Sequence, residues 1–222
     1  MRNKFLNITN GEYFNQYLIS KTGEESVPFC EAIMDGEVVP NIYSEQFISL
    51  RAKALNVNED EYRVKMYAYN VIQNNEYETI CLWFGKDAFC QVNLLTLLAY
   101  LEQIQYRGGI KLNYIDDETF DVLESNIDVE LGIYGKIYED ILISKYMPDN
   151  IGILSARAIE LYFDYHSESG VLANLIRANS NKPTIELIAI LLENSKEYGL
   201  SDLQAEKLIK KFSNLQNKYV CR

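Results

Sequence analysis

Apolar and polar positions alternate along the chain in blocks that predict strands followed by helices. Phe5-Leu6-Asn7-Ile8-Thr9 reads as a short strand. Asn10-Gly11-Glu12 breaks it, and Tyr13 to Ile19 form a helical segment that stops near Gly23. Ser26-Val27-Pro28-Phe29 is a second strand candidate, with its proline suited to a strand end. The loop Cys30 to Glu37 follows, and 44–56 and 58–73 then carry a helical pattern. Asn58 and Glu61 have the spacing of a capping pair at the start of the second helix. Thr79-Ile80-Cys81-Leu82-Trp83-Phe84 is apolar without alternation, as a strand covered on both faces of a parallel sheet must be. The strongest helix runs from Ala88 to Gln105, opened by Asp87 and closed by Gly108-Gly109. Ile110 to Ile115 supplies a fourth strand, and a further strand is expected between Phe120 and Glu130. Beyond Gly132 the pattern is helical throughout: 133–144, 155–166, 171–178, 184–198 and 201–216, the last opened by Ser201 with Gln204.

Strands alternating with helices predict an α/β fold of Rossmann-like type: a mostly parallel sheet with helices on both faces and right-handed crossovers. The purely helical remainder is expected to form a C-terminal subdomain, which divides the chain into 1–148 and 149–222. Charge follows the same division. Residues 1–150 carry 12 Lys and Arg against 24 Asp and Glu, whereas 151–222 carry 9 against 8. An acidic surface repels phosphate backbones, so nucleic acid is disfavoured as a partner; Lys207, Lys210, Lys211, Lys218 and Arg222 form only a weak basic strip. No apolar stretch approaches the roughly 18–20 residues that cross a bilayer, and Met1 to Lys4 lack the apolar run of a secretory leader. A cytoplasmic chain without a membrane partner is the expectation. Cys30, Cys81, Cys90 and Cys221 have neither CxxC nor finger spacing, which argues for free thiols rather than disulfides or a zinc site.

In an open α/β sheet, ligands bind outside the carboxyl ends of the strands where strand order reverses. The loops expected there contribute Asn10, Gly11 and Glu12; Glu31 and Asp35; Lys86 and Asp87; and Asp116 and Asp117. Such an acidic rim suits a cationic ligand, or a divalent metal bridging carboxylates to an anion, although no spacing singles out a metal set. Carboxylates at the helix starts disfavour dinucleotides, and neither G-x-G-x-x-G nor G-x-x-x-x-G-K-[ST] occurs. Cys90, in a first helical turn, has a position where a thiol can be activated, but the single histidine, His166, lies in the helical remainder, so Cys90 reads as core. Gln91, Asn93 and Thr96 are amides and a hydroxyl on an apolar helix and need partners, from loops or from a ligand.

The blocks Ile8-Thr9-Asn10-Gly11-Glu12, Phe29 to Gly36 and above all Leu82-Trp83-Phe84-Gly85-Lys86-Asp87-Ala88-Phe89-Cys90-Gln91-Val92-Asn93-Leu94-Leu95 resemble the bacterial family known as domain of unknown function 1835. The resemblance extends over about residues 4–115; Tyr198 to Asp202 are similar to the helical tail found in such proteins. It implies a Rossmann-like core with a helical C-terminal part, and no established activity. Some relatives are described as transcriptional regulators. The chain departs from the family at Glu12, where aspartate is usual, and at Glu37, where proline is common.

These readings converge on a small polar ligand held by Asn10, Glu12, Glu31, Asp35, Lys86, Asp87, Gln91 and Asn93. If turnover occurs, Glu12 or Glu31 would act as general acid or base and Lys86 would face an anionic group. No cofactor is specified. The alternative is a regulatory or protein-interaction module, in which the tyrosine-rich helical part and the basic last helix hold a protein partner or, disfavoured by the net charge, DNA; the tyrosines equally suit a homo-oligomer contact.

Overall fold

A computed structural model describes residues 5–74 and 77–220. Cys221, Arg222 and Met1 to Lys4 lie outside the described residues. The elements are β1 (Phe5–Asn10), α1 (Glu12–Thr22), β2 (Ser26–Phe29), α2 (Glu45–Leu55), α3 (Glu59–Lys65), α4 (Tyr67–Asn74), β3 (Thr79–Phe84), α5 (Ala88–Gln103), β4 (Gly109–Ile115), β5 (Val122–Asp128), α6 (Tyr134–Tyr138), α7 (Ala156–His166), α8 (Val171–Ala178), α9 (Thr184–Asn194) and α10 (Asp202–Val220). A π-helical turn, Glu139–Ile143, continues α6, and a 3₁₀ turn, Lys196–Tyr198, follows α9. Two compact units arise, one from Met1–Lys86 and Cys90–Ser155, the other from Asp87–Phe89 and Ala156–Arg222.

The first unit is a mostly parallel, Rossmann-like sheet in the order β2-β1-β3-β4-β5. Strands β1 to β4 run parallel, and only the edge strand β5 is antiparallel. From β1 the chain crosses first to one side, to β2, and then to the other, to β3; order therefore reverses between β1 and β3. Alternation along the strands sorts the layers. Trp83 and Ile115 face α1, whose Phe14 and Leu18 pack on them. Asn10 and Phe29 are register partners on the opposite face, where Phe29 meets Tyr69 of α4 and Tyr69 meets Tyr100 of α5. Helices thus cover both faces: β1 is buried continuously from Leu6 to Thr9, whereas β3 alternates between half-buried positions on the Trp83 side and fully buried ones on the other.

Local chemistry sets most boundaries. Ser44 accepts from the Phe47 amide at the start of α2, and Asn58 with Glu61 forms a reciprocal capping box on α3. Ser201 and Gln204 do the same for α10. Gly23 closes α1 in a left-handed turn.

Two helix expectations are corrected. The single helix over 58–73 is two, broken at Met66 (φ −98, ψ 33) within a stretch rich in Tyr and Val, residues of weak helix propensity. Helix α5 ends at Gln103 rather than Gln105, and the left-handed turn falls on Gln105 (φ 54), not on the glycine pair. There the Tyr106 amide donates to the Leu101 carbonyl, closing a Schellman turn before the glycines are reached. Gly108 serves packing instead: a Cβ there would lie 2.1 Å from Tyr106 Oη and 2.7 Å from the Glu78 carbonyl oxygen. The expected strand after Phe120 is β5, and a bulge at Asn126 (φ 56) interrupts its pairing with β4.

The second unit is helical, from α7 to α10. Asp164 of α7 accepts from the Val171 amide at the start of α8 and from Tyr198 Oη. Among the described residues no helix is long and apolar enough to cross a membrane.

Candidate functional site

Because β1 to β4 are parallel, the loops after them open at one end of the sheet. Gly11 lets β1 turn into α1 there. Its φ of 93 lies in the region that disfavours side chains, although a Cβ would meet nothing within 4 Å, so conformation rather than crowding demands glycine. Asn10 precedes it and points toward α5. Its Oδ1 accepts from Asn93 Nδ2 at 3.0 Å, and its own Nδ2 donates to Cys90 Sγ at 2.8 Å. Cys90 in turn donates to Asp117 Oδ2 at 3.5 Å. One hydrogen-bonded chain therefore joins the ends of β1 and β4 to the first turns of α5, across the β1–β3 reversal.

Asn93 is fully buried and does more than hold Asn10. Its Nδ2 also donates to the Glu31 carbonyl at 2.7 Å, and its Oδ1 accepts from the Ile33 amide at 3.2 Å. In this way an amide on an apolar helix satisfies the loop after β2, which has no sheet or helix partner of its own.

The Glu31 carboxylate does not reach the rim. It is buried at 1 % exposure, with Oε1 accepting from the Ala32 amide and from Arg51 Nε and Nη2 at 3.0–3.1 Å, and Oε2 accepting from Tyr62 Oη at 2.5 Å. Arg51 further donates to the Asp35 and Ala32 carbonyls. Burial by itself would lower the guanidinium, but the Glu31 charge beside it reverses the balance and holds its pKa above the ordinary value. The same burial, with Glu31 adjacent, drives the Tyr62 hydroxyl far up, so it remains a donor. Glu31 therefore anchors the loop over the sheet end, and a general-acid role would require this network to open.

The remaining expected residues lie apart. Glu12 is exposed on the first turn of α1, accepting from Gln16 Nε2 at 3.1 Å. Asp35 is half-buried in the loop, where its carbonyl binds Arg51. Lys86 turns toward β5: it ion-pairs with Glu124, and its ammonium lies 4.8 Å from the Tyr114 ring centre. Gln91 is buried and structural, donating to the Gly85 carbonyl at 2.8 Å and accepting from the Ser155 amide at 3.0 Å. Asp87 belongs to the helical unit, where its Oδ1 would lie 2.1 Å from a Cβ at Gly199. His166 sits in that unit among Tyr162 and Tyr165. Arg51 and Tyr62 were not foreseen as part of the site. A charged residue on an otherwise amphipathic helix carries no sign that it is fully buried.

Cys30, Cys81 and Cys90 are free thiols. Burial first, and the nearby Glu12 carboxylate second, push Cys30 up to about 11. Both causes disfavour the thiolate, so at neutral pH Cys30 is a poor nucleophile. Iodoacetamide should therefore modify Cys30 slowly, with a rate still climbing above pH 9. Glu12→Gln removes the largest of the charge causes, lowers the pKa and should speed the reaction severalfold at pH 8. An unchanged rate, followed by mass spectrometry of the Cys30 peptide, would place Glu12 out of reach of this thiol.

The fold and site define an α/β protein whose sheet carries a hydrogen-bonded polar cluster at its switch point. Comparison of the chain with family models, with curated proteins and with solved structures returns no match.

Proposed function

We propose that the sheet unit binds a small polar molecule in the crevice outside the carboxyl ends of β1 and β3. The observation that carries this reading is Asn10: a side-chain amide at the topological switch point, held from both ends by Asn93 and Cys90, beside the glycine that opens α1. Amides fixed in this way present hydrogen-bonding groups to a guest without losing side-chain entropy on binding. In this reading Asn10 and Glu12 touch the ligand, while Glu31, Asn93 and Arg51 set the shape of the mouth. The block Leu82 to Leu95, on which the resemblance to the domain of unknown function 1835 rests, contributes both Cys90 and Asn93, and membership of that family belongs to the same proposal. A cytoplasmic setting goes with it, supported by the free thiols.

The test is a thermal-shift panel of nucleotides, sugars, amines and divalent cations on the wild-type chain, Asn10→Ala and Glu12→Ala. A ligand at about 100 times its Kd adds about 2.7 kcal/mol, enough to raise Tm by several degrees in a protein of this size. The expected result is at least one compound that raises the wild-type Tm and loses most of its effect in both variants. A panel without effect, or shifts that persist in both variants, would overturn the proposal.

A further inference from the structure

The loop between β4 and β5 holds Phe120 at φ 63, a left-handed conformation that bulky residues rarely adopt. The surrounding loop enforces it. Asp116 Oδ1 accepts from the Glu118 and Thr119 amides, the Phe120 amide donates to the Asp116 carbonyl, and the Asp116 amide to the Asp121 carbonyl. The consequence is that the Phe120 ring is turned onto α1, 5.0 Å from Tyr17 and 5.4 Å from Phe14, which itself lies 5.8 Å from Trp83. Val122 pairs with Ile115, so its side chain extends the same face of the sheet.

This layer is incompletely covered. Tyr17 is 37 % exposed and Val122 52 %, Phe120 is half-buried, and Tyr13, one turn before Tyr17, is 86 % exposed. The result is an apolar, mostly aromatic strip on the α1 side of β4 and β5. Its border at the β4–β5 loop is acidic: Glu118 and Asp121 flank Phe120, both exposed. Lys21 places a cation on the strip, its ammonium 5.5 Å from the Tyr17 ring centre. That ring thus already receives an ammonium group, which is the contact a cationic guest would make.

We propose that this strip docks a basic peptide segment of a partner protein, with apolar side chains seated on Tyr17, Phe120 and Val122 and flanking Lys or Arg side chains facing Glu118 and Asp121. Charge complementarity selects this occupant: aromatic centres with acidic rims match an apolar, lysine-bearing segment and repel an acidic one. The surface is separate from the Asn10 crevice, and its occupant is a macromolecule rather than a small guest.

Trp83, the single tryptophan, contacts Phe14 beneath the strip and reports on it without labelling. The probe is acetyl-Lys-Leu-Lys-Phe-Lys-Leu-Lys-amide, titrated into the full chain, with its Glu-for-Lys counterpart as control. The expected result is a saturable change in Trp83 emission with the lysine peptide, weakening as salt rises, and affinity for the acidic peptide at least ~10-fold lower. Tyr17→Ser with Phe120→Gly removes two rings, while glycine at 120 suits the backbone; it should weaken the lysine peptide by ~10-fold. Should that variant fail to fold, Glu118→Lys with Asp121→Lys must reverse the preference between the two peptides. Equal binding of both peptides, absence of binding, or wild-type affinity in the variants would overturn the proposal. So would concentration-dependent self-association in sedimentation that the same variants abolish, since a second copy would then be the occupant.

Discussion

Arg51→Met should cost the sheet unit about 3–5 kcal/mol, the usual penalty for leaving one member of a buried ion pair uncompensated. Neither side chain of the Arg51–Glu31 pair has solvent access, so water cannot replace the guanidinium. Met is close to Arg in length and apolar, which keeps the volume while removing the charge and its donors. The carbonyls of Ala32 and Asp35 lose partners as well, which loosens the loop from β2 to α2. Urea unfolding followed by Trp83 emission is the measurement, since Trp83 belongs to this unit. The double variant Arg51→Met, Glu31→Leu should be more stable than Arg51→Met alone, because no charge is then stranded. It should still fall short of the wild type, as the Tyr62 hydroxyl and Ala32 amide lose an acceptor. A single variant within about 1 kcal/mol of the wild type would show that the pair does not hold this loop.

Asn93→Leu is the second large effect, about 2–5 kcal/mol, since buried groups left unpaired cost about 1–3 kcal/mol each. The substitution strands the Ile33 amide and the Glu31 carbonyl and frees Asn10 Oδ1. Asn93→Asp keeps an acceptor for Ile33 but sets a carboxylate oxygen against two acceptors, so it should not rescue. Hydrogen exchange gives the local reading: the Ile33 amide should exchange much faster in Asn93→Leu, beyond what the global loss of stability explains. Unaltered protection of that amide would contradict the role assigned to Asn93. If the crevice binds as proposed, ligands that shift the wild-type Tm should act weakly on this variant, through the loss of order at Asn10.

Legibility in the sequence followed the range of the interaction. The capping pairs Asn58 with Glu61 and Ser201 with Gln204 span three residues, and both form as their spacing predicts. The apolar run Thr79 to Phe84 signals a central strand, and β3 lies between two parallel neighbours, fully buried on one face and half-buried on the other. Gln91 and Asn93 stood out as amides on an apolar helix, and both are consumed by loop backbone. By contrast, Glu31 was read as a rim acid because a loop carboxylate ordinarily faces water. Its partner Arg51 is twenty residues away on a helix whose exposed and buried sides look alike in charge. Lys86 likewise reads as a free cation at a strand end until β5 brings Glu124 beside it.

By itself the sequence determined what depends on neighbours a turn or a strand apart: the α/β alternation, the capping of helices, the glycine at the β1–α1 turn and the acidic character of the larger part. Only the tertiary structure decided which polar groups lose water. Strand order brings Asn10, Cys90, Asn93 and Asp117 from three separate segments into one hydrogen-bonded chain and seals Glu31 against Arg51. Desolvation is a property of the assembled layers, and no residue carries it in advance.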